Sequence, residues 1–233
     1  MSKWIIPDIH GCAKTVKALL ENLLKVTRED ELFFLGDYID RGPNSKNVID
    51  YLMDLREGGY KTHFLKGNHE DYCLQAWEAD QKPHLFKPSV QKAWENVGAT
   101  ETLKSFGVKR PKDIPMKYIE WMQQLEYYYE LKDYILVHAG MNFKEENPFE
   151  DTYSMMWTRN FKVDFGKSNG RRIIHGHIPV DYSFIDLVIR NPKGYDFIAL
   201  DNGVFCTDKP GLGNLMAFNP DDNTLIAQTN LDM

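Results

Sequence analysis

Six side chains in this sequence have the donor types of one catalytic centre: Asp8, His10, Asp37, Asn68, His138 and His177. Three are imidazoles, two are carboxylates, one is an amide, and none is a thiolate. An N/O set of this kind suits Mn, Fe, Zn or Co and argues against a structural zinc site. Asp8 and His10 stand two apart, so in extended chain both face one ion. Six protein donors exceed what one open catalytic ion takes and suit two ions, with a carboxylate such as Asp37 bridging them. Two divalent ions about 3.5–4 Å apart clamp both oxygens of an in-line displacement at phosphorus, and a water between them ionises near neutral pH. His69 follows Asn68 directly, and Asp40 follows Asp37 by three. That pair can protonate a leaving alkoxide. Arg41 and Arg159 offer forked contacts to phosphate oxygens.

These residues need a scaffold that brings them together. Short apolar runs stop at polar, Gly-containing turns: Lys3–Pro7 before Asp8, Glu31–Leu35 before Gly36-Asp37, and Thr62–Lys66 before Gly67-Asn68. Each has the length and the β-branched or aromatic content of a strand. Between them, Val16, Leu19, Leu20, Leu23 and Leu24 recur at helical spacing, as do Val48, Ile49, Leu52 and Leu55. The order predicts βαβαβ with right-handed crossovers and a parallel sheet. Asp8, Asp37 and Asn68 then lie just beyond the carboxyl ends of strands, where open α/β sheets place their ligands. Two later runs end alike, Tyr134–Val137 before His138-Ala139-Gly140 and Arg172–Ile174 before His175-Gly176-His177. Residues 78–118, broken by four prolines, read as a small helical lobe. Beyond 180, Phe184–Ile189, Asp196–Leu200, Leu215–Phe218 and Thr224–Thr229 predict strands of a second, mostly antiparallel sheet.

The 233 residues suit a single domain over 1–233, with the lobe inside it. With 42% hydrophobic and 27% charged residues and a net charge of -6, the composition excludes disorder and coiled coil. An acidic chain lacks the basic footprint of sequence-independent nucleic-acid binding. No apolar run reaches membrane-spanning length. Three widely spaced cysteines read as reduced thiols of a cytoplasmic protein.

In order, Asp8-Ile9-His10-Gly11, Gly36-Asp37-Tyr38-Ile39-Asp40-Arg41-Gly42, Gly67-Asn68-His69-Glu70, His138-Ala139-Gly140 and Gly176-His177 resemble the signature of the PPP-type metallophosphatases, within the calcineurin-like metallophosphoesterase superfamily. The bacterial and phage serine/threonine phosphatases of the lambda type look nearest, with the symmetrical diadenosine tetraphosphatases beside them. The resemblance covers nearly the whole chain, including Met156-Trp157-Thr158-Arg159 and Leu200-Asp201-Asn202-Gly203. It implies an α/β fold of two sheets between helices (α/β/β/α). It implies one metal at Asp8, His10 and Asp37, and a second at Asp37, Asn68, His138 and His177, with Mn as the usual ion. It also implies His69 with Asp40 as the leaving-group acid pair, and Arg41 and Arg159 on the phosphate.

Two departures stand out. Pro7 replaces the Gly that usually precedes the first Asp. Lys66 stands where the phage-type enzymes often carry Arg, giving a phosphate charge but no fork. The expectation is a phosphoesterase acting by direct attack of a metal-bridging hydroxide on phosphomonoesters, first of all phosphoserine or phosphothreonine in proteins. The alternative is a symmetrical diadenosine tetraphosphatase or other nucleotide phosphohydrolase. A non-catalytic phosphate-binding relative is the third reading, and the intact ligands, His69 and Asp40 stand against it. His175 competes with His177 as ligand, although the Gly-His register favours His177. His63 reads as structural, His84 as solvated, and Glu70 as structural.

Overall fold

The computed structural model describes residues 1–83 and 86–233, so the reading of His84 lies outside it. Strand β1 (Lys3–Ile6) shows how each strand is oriented. Ile6 faces one side with the helices and Ile5 faces the other, the period of two that a pleated strand imposes. β2 (Glu31–Phe34) repeats this, with Leu32 and Phe34 on the helix side and Phe33 opposite. β3 (Lys61–Phe64) completes the predicted parallel set. Helix α1 (Ala13–Ala18), continued by a π-helical stretch at Leu19–Leu24, joins the first two strands. Helix α2 (Ser45–Glu57) joins the next two and buries Val48, Ile49, Leu52 and Leu55. α3 (Asn68–Asp80) follows β3 at once.

The segment expected as a lobe holds α4 (Ser89–Glu95), α5 (Ala99–Ser105) and a 3-10 turn at Pro111–Asp113. It leads into α6 (Met116–Gln123), which runs past residue 118. Trp94, Leu103, Tyr118 and Trp121 share one apolar core with Ile6, Phe34 and Phe64 of the sheet, so these helices are part of the sheet's cover.

The second sheet has the order β4-β5-β6-β7 and the first β3-β2-β1-β8-β9. β4 (Tyr128–Glu130) is antiparallel to β5 (Tyr134–Val137), while β5, β6 (Arg172–His175) and β7 (Phe197–Ala199) run parallel. α7 (Thr152–Trp157) lies over the outer face of this sheet, with Met155 in a core with Ile135, Val137 and Ile173. The inner faces meet in a core of Ile5, Phe33, Met216 and Phe218 from one sheet and Leu136, Ile174 and Ile198 from the other. The result is two sheets flanked by helices, as the sequence implied.

The later elements differ from expectation in three ways, the first being that the second sheet is mostly parallel, with only β4 antiparallel to its neighbour. The run Phe184–Ile189 belongs to helix α8 (Tyr182–Arg190), not to a strand. Its β-branched content suggests a strand, but Ile185, Val188 and Ile189 recur at helical spacing and are buried together, and Asp181 caps the start by accepting the Ser183 N–H at 2.8 Å. The hairpin of β8 (Asn214–Asn219) and β9 (Thr224–Thr229) does not build the second sheet. β8 pairs antiparallel with β1 and extends the first sheet. No helix among the described residues is long and apolar enough to cross a membrane.

Candidate metal centre and active site

Each of the turns after β1, β2, β3, β5 and β6 is held by the next. The N–H groups of Ile9 and His10 both donate to Asp37 O, at 3.0 and 2.9 Å. Glu70, fully buried, accepts from the N–H groups of Asp37 (2.9 Å), Tyr38 (2.8 Å), Ile39 (3.3 Å) and Gly67 (3.0 Å). The His69 N–H donates to Asp37 Oδ1 at 3.1 Å. His138 hydrogen-bonds Leu35 O through Nδ1 at 2.8 Å, and the Gly176 N–H donates to His138 O at 2.8 Å. Last, the His177 N–H reaches both Asp8 oxygens, at 3.0 and 3.1 Å.

This cross-bracing holds unusual backbone. His10, Asp37, Asp40, Arg41 and His177 all have positive φ, between 45 and 71°. Non-glycine residues avoid that region at a cost of about 1–3 kcal/mol each unless the surroundings impose it. Two glycines are there for space alone. A Cβ on Gly67 would collide with Asp37 Oδ1, and one on Gly176 with Asp8 Oδ1.

All six predicted ligands converge. Asp37 is central. Its Oδ2 lies 3.6 Å from His10 Nε2 and 3.8 Å from His69 Nε2, and its Oδ1 lies 3.5 Å from His138 Nε2. On the His138 side, Asn68 Oδ1 is 3.0 Å from His138 Nε2 and 2.9 Å from His177 Nδ1. Those two ring nitrogens are 3.2 Å apart. On the other side, Asp8 Oδ2 is 3.9 Å from His10 Nε2. Two groups, His10–Asp37–His69 and Asp37–His138–His177, each bring three donor atoms within 4.8 Å of one another and share Asp37.

This donor set fits two cations. Nδ1 of His138 and of His10 each face a backbone carbonyl, Leu35 O and Ile39 O, so the protons sit there and the Nε2 lone pairs face the centre. Lone pairs of imidazole, amide and carboxylate therefore point at one another, an arrangement that a cation satisfies. The electrostatics agree. Burial, with the charges of Arg41 and His69, holds His10 well below the usual histidine range. Burial, followed by His138, pushes His177 down to about 3. Burial also lowers His138. Neutral imidazoles are the form that binds metal. Burial and the charges of Asp201 and Asp37 push Asp8 well above the carboxylate range.

The predicted acid pair is in contact: His69 Nδ1 donates to Asp40 Oδ2 at 2.7 Å. Burial opposes protonation of His69, but Asp37 and the Asp40 hydrogen bond prevail and its pKa is raised. Arg41 enters the centre, with Nη1 3.0 Å from His10 Nε2 and Nη2 3.3 Å from His69 Nε2, its guanidinium stacked 4.1 Å over Phe205. Arg159 is exposed on the turn after α7, near enough for its charge to help lower His177. Lys66 is buried, with Nζ 5.1 Å over the Tyr127 ring. Neither hydrogen-bonds a candidate ligand among the described residues. His175 is packed, not a ligand: its Nδ1 meets Gly176 O at 3.0 Å and its ring lies between Phe161 and Phe197. His63 is structural, stacked on Phe33 and paired with Glu31.

Four further residues take part, and of these only Asp201, inside the Leu200–Gly203 match, has a sequence signal. Trp94 and Thr102 bond Asp40, Phe205 lies under Arg41 and against His10, and Asp201 is buried near Asp8 with Oδ2 unpartnered among the described residues. Burial pushes Asp201 up to about 7.

Residues 1–204 match the calcineurin-like phosphoesterase family, and the chain belongs to it. Among curated relatives, a symmetrical bis(5'-nucleosyl)-tetraphosphatase of Pseudomonas putida (strain W619) is 28% identical over 143 residues, 60% of this chain and 43% of that protein. One from Buchnera aphidicola subsp. Schizaphis graminum is 41% identical over 70 residues, 30% of this chain and 24% of that protein. The chain thus spans less than half the length of these relatives. In fold it is similar to a serine/threonine phosphatase from Saccharomyces cerevisiae, with TM-score 0.65 and 15% identity, covering 100% of this chain and 81% of that one. These curated relatives are nucleotide enzymes by name and belong to the neighbouring branch of the resemblance, not to the phage-type protein phosphatases. The likeness to the yeast phosphatase is one of fold.

Proposed function

We propose that this chain is a metal-dependent hydrolase of dinucleoside polyphosphates, cleaving a diadenosine tetraphosphate symmetrically into two ADP. The observation that carries the reading is the convergence of acceptor atoms around Asp37 beside the hydrogen-bonded pair His69–Asp40. Asp8, His10 and Asp37 would hold one ion, and Asp37, Asn68, His138 and His177 the other. Mn²⁺ is the ion we propose, in keeping with a donor set free of thiolate. When bound, such ions supply Lewis acidity toward phosphoryl oxygens and lower the pKa of an attacking water.

The chain's own residues do the rest. The Arg41 guanidinium, braced by Phe205, holds phosphoryl oxygens between His10 and His69. His69 delivers its proton from Nε2 to the leaving oxygen, and Asp40 keeps Nδ1 protonated and the imidazolium charged. Arg159 adds positive charge on the His177 side. A cleft of about 850 Å³ flanks Arg159, lined by its neighbours Thr158 and Asn160 and by Phe143, Phe161 and Phe165. Its aromatic faces suit a nucleobase. Three free, buried cysteines support a cytoplasmic setting.

The test uses EDTA-stripped protein with and without Mn²⁺, on diadenosine tetraphosphate beside a phosphoserine peptide. Chromatography should show ADP only with metal. Metal-dependent release of phosphate from the peptide, with the dinucleotide intact, would return the protein to the phosphoprotein reading.

A further inference from the structure

Asp40 is fully buried, and its carboxylate is surrounded by donors. Oδ2 accepts from His69 Nδ1 and from the Trp94 indole N–H, each at 2.7 Å. Oδ1 accepts from Thr102 Oγ1 at 2.6 Å, and the same hydroxyl oxygen accepts the Asp40 backbone N–H at 2.8 Å. Trp94 sits on α4 and Thr102 on α5. Between those helices, Gly98 (φ 122°) lies so close to the Asp40-Arg41 backbone that a Cβ there would stand 2.6 Å from Arg41 N. The corner of two helices is thus pressed onto the two adjacent residues at φ 71 and 67°.

We propose that Trp94 and Thr102 are positioning residues for the His69 acid, so that the α4–α5 corner is part of the catalytic apparatus. The inference rests on the phosphoesterase reading and adds to it a positioning role for a segment that the sequence marks only as a small helical lobe. A carboxylate with donors on both oxygens is fixed in one rotamer as an anion. Its Oδ2 then holds the proton of His69 on Nδ1 and leaves Nε2 facing Arg41 and Asp37, where a leaving oxygen arrives. Packing alone does not account for the indole. Trp121 lies in the same core with its Nε1 unpartnered among the described residues, whereas Trp94 directs its N–H at the carboxylate that hydrogen-bonds His69 Nδ1.

The test compares p-nitrophenyl phosphate, whose leaving group needs little acid, with an alkyl phosphate, whose leaving group needs much. Trp94→Phe, which keeps an aromatic ring and removes the donor, should raise the ratio of aryl to alkyl turnover by about tenfold. Thr102→Val should do the same, and Thr102→Ser should restore the parent ratio. In metal-stripped protein, the proton resonance of His69 Nδ1–H should move upfield in Trp94→Phe and in Thr102→Val. Equal losses on both substrates with an unmoved resonance would reduce Trp94 and Thr102 to packing and overturn the inference, leaving the phosphoesterase reading in place. Should Trp94→Phe not fold, the Val and Ser variants at 102 decide. A parent protein without turnover on aryl phosphate, alkyl phosphate and dinucleotide would overturn both readings together.

Discussion

The backbone N–H of His177 donates to both carboxylate oxygens of Asp8, at 3.0 and 3.1 Å, and so ties the end of β6 in one sheet to the end of β1 in the other. The approach is close enough that Gly176 has no room for a side chain. Gly176→Ala should therefore displace Asp8 and open the centre between the sheets. We expect Mn²⁺ affinity, read by calorimetry, to fall by roughly 10–100-fold, the usual effect of disturbing what orients a ligand. Unchanged affinity would mean that Asp8 tolerates the shift.

Asp37 faces both groups of donors. Asp37→Asn should leave the fold intact by circular dichroism, yet reduce bound Mn²⁺, counted by elemental analysis, from two per chain to one or none, and abolish turnover. Two ions retained per chain would place the bridge elsewhere.

His69→Asn removes the proton donor and leaves Arg41 its contacts with His10 and Phe205. Turnover of alkyl phosphates should drop by about 10²–10⁴-fold and of aryl phosphates far less. Equal losses for the two leaving groups would remove the acid role.

Glu70 is the common acceptor for the turns after β2 and β3. Burial and the Asp37 charge push it up to about 8 against the pull of its N–H donors. Glu70→Ala would strand those buried N–H groups, and the expected loss is about 3–5 kcal/mol. Urea unfolding checks it, and a loss below about 1 kcal/mol would mean that water replaces the carboxylate.

Phe165, 44% exposed in the cleft beside Arg159, offers a face for a base. Phe165→Ala should raise KM for diadenosine tetraphosphate by about 5- to 150-fold, the equivalent of about 1–3 kcal/mol for base stacking, with little effect on p-nitrophenyl phosphate. A parallel rise on both substrates would place the base elsewhere.

What the sequence determined by itself was the chemistry and its spacing along the chain. The residue types at 8, 10, 37, 68, 138 and 177 limit the centre to N/O ligation. Strand-length runs ending in Gly-containing turns place those residues at strand ends, because alternation of burial and turn formation are local properties. His69 next to Asn68 and Asp40 close after Asp37 carry the acid pair in the same local way. Local reading failed where two signals competed in one segment, as at Phe184–Ile189, where β-branched residues sit on the buried face of a helix. Only the tertiary structure decided which sheet β5, β6 and the final hairpin join, since pairing partners depend on which faces find each other in the core. It alone showed that Glu70, read only as structural, braces two turns, and brought Trp94 and Thr102, 54 and 62 residues beyond Asp40, onto the Asp40 carboxylate. Hydrogen bonds across such separations have no period, spacing or composition to announce them; they exist because the helices of 89–105 and the strand ends bury one common core.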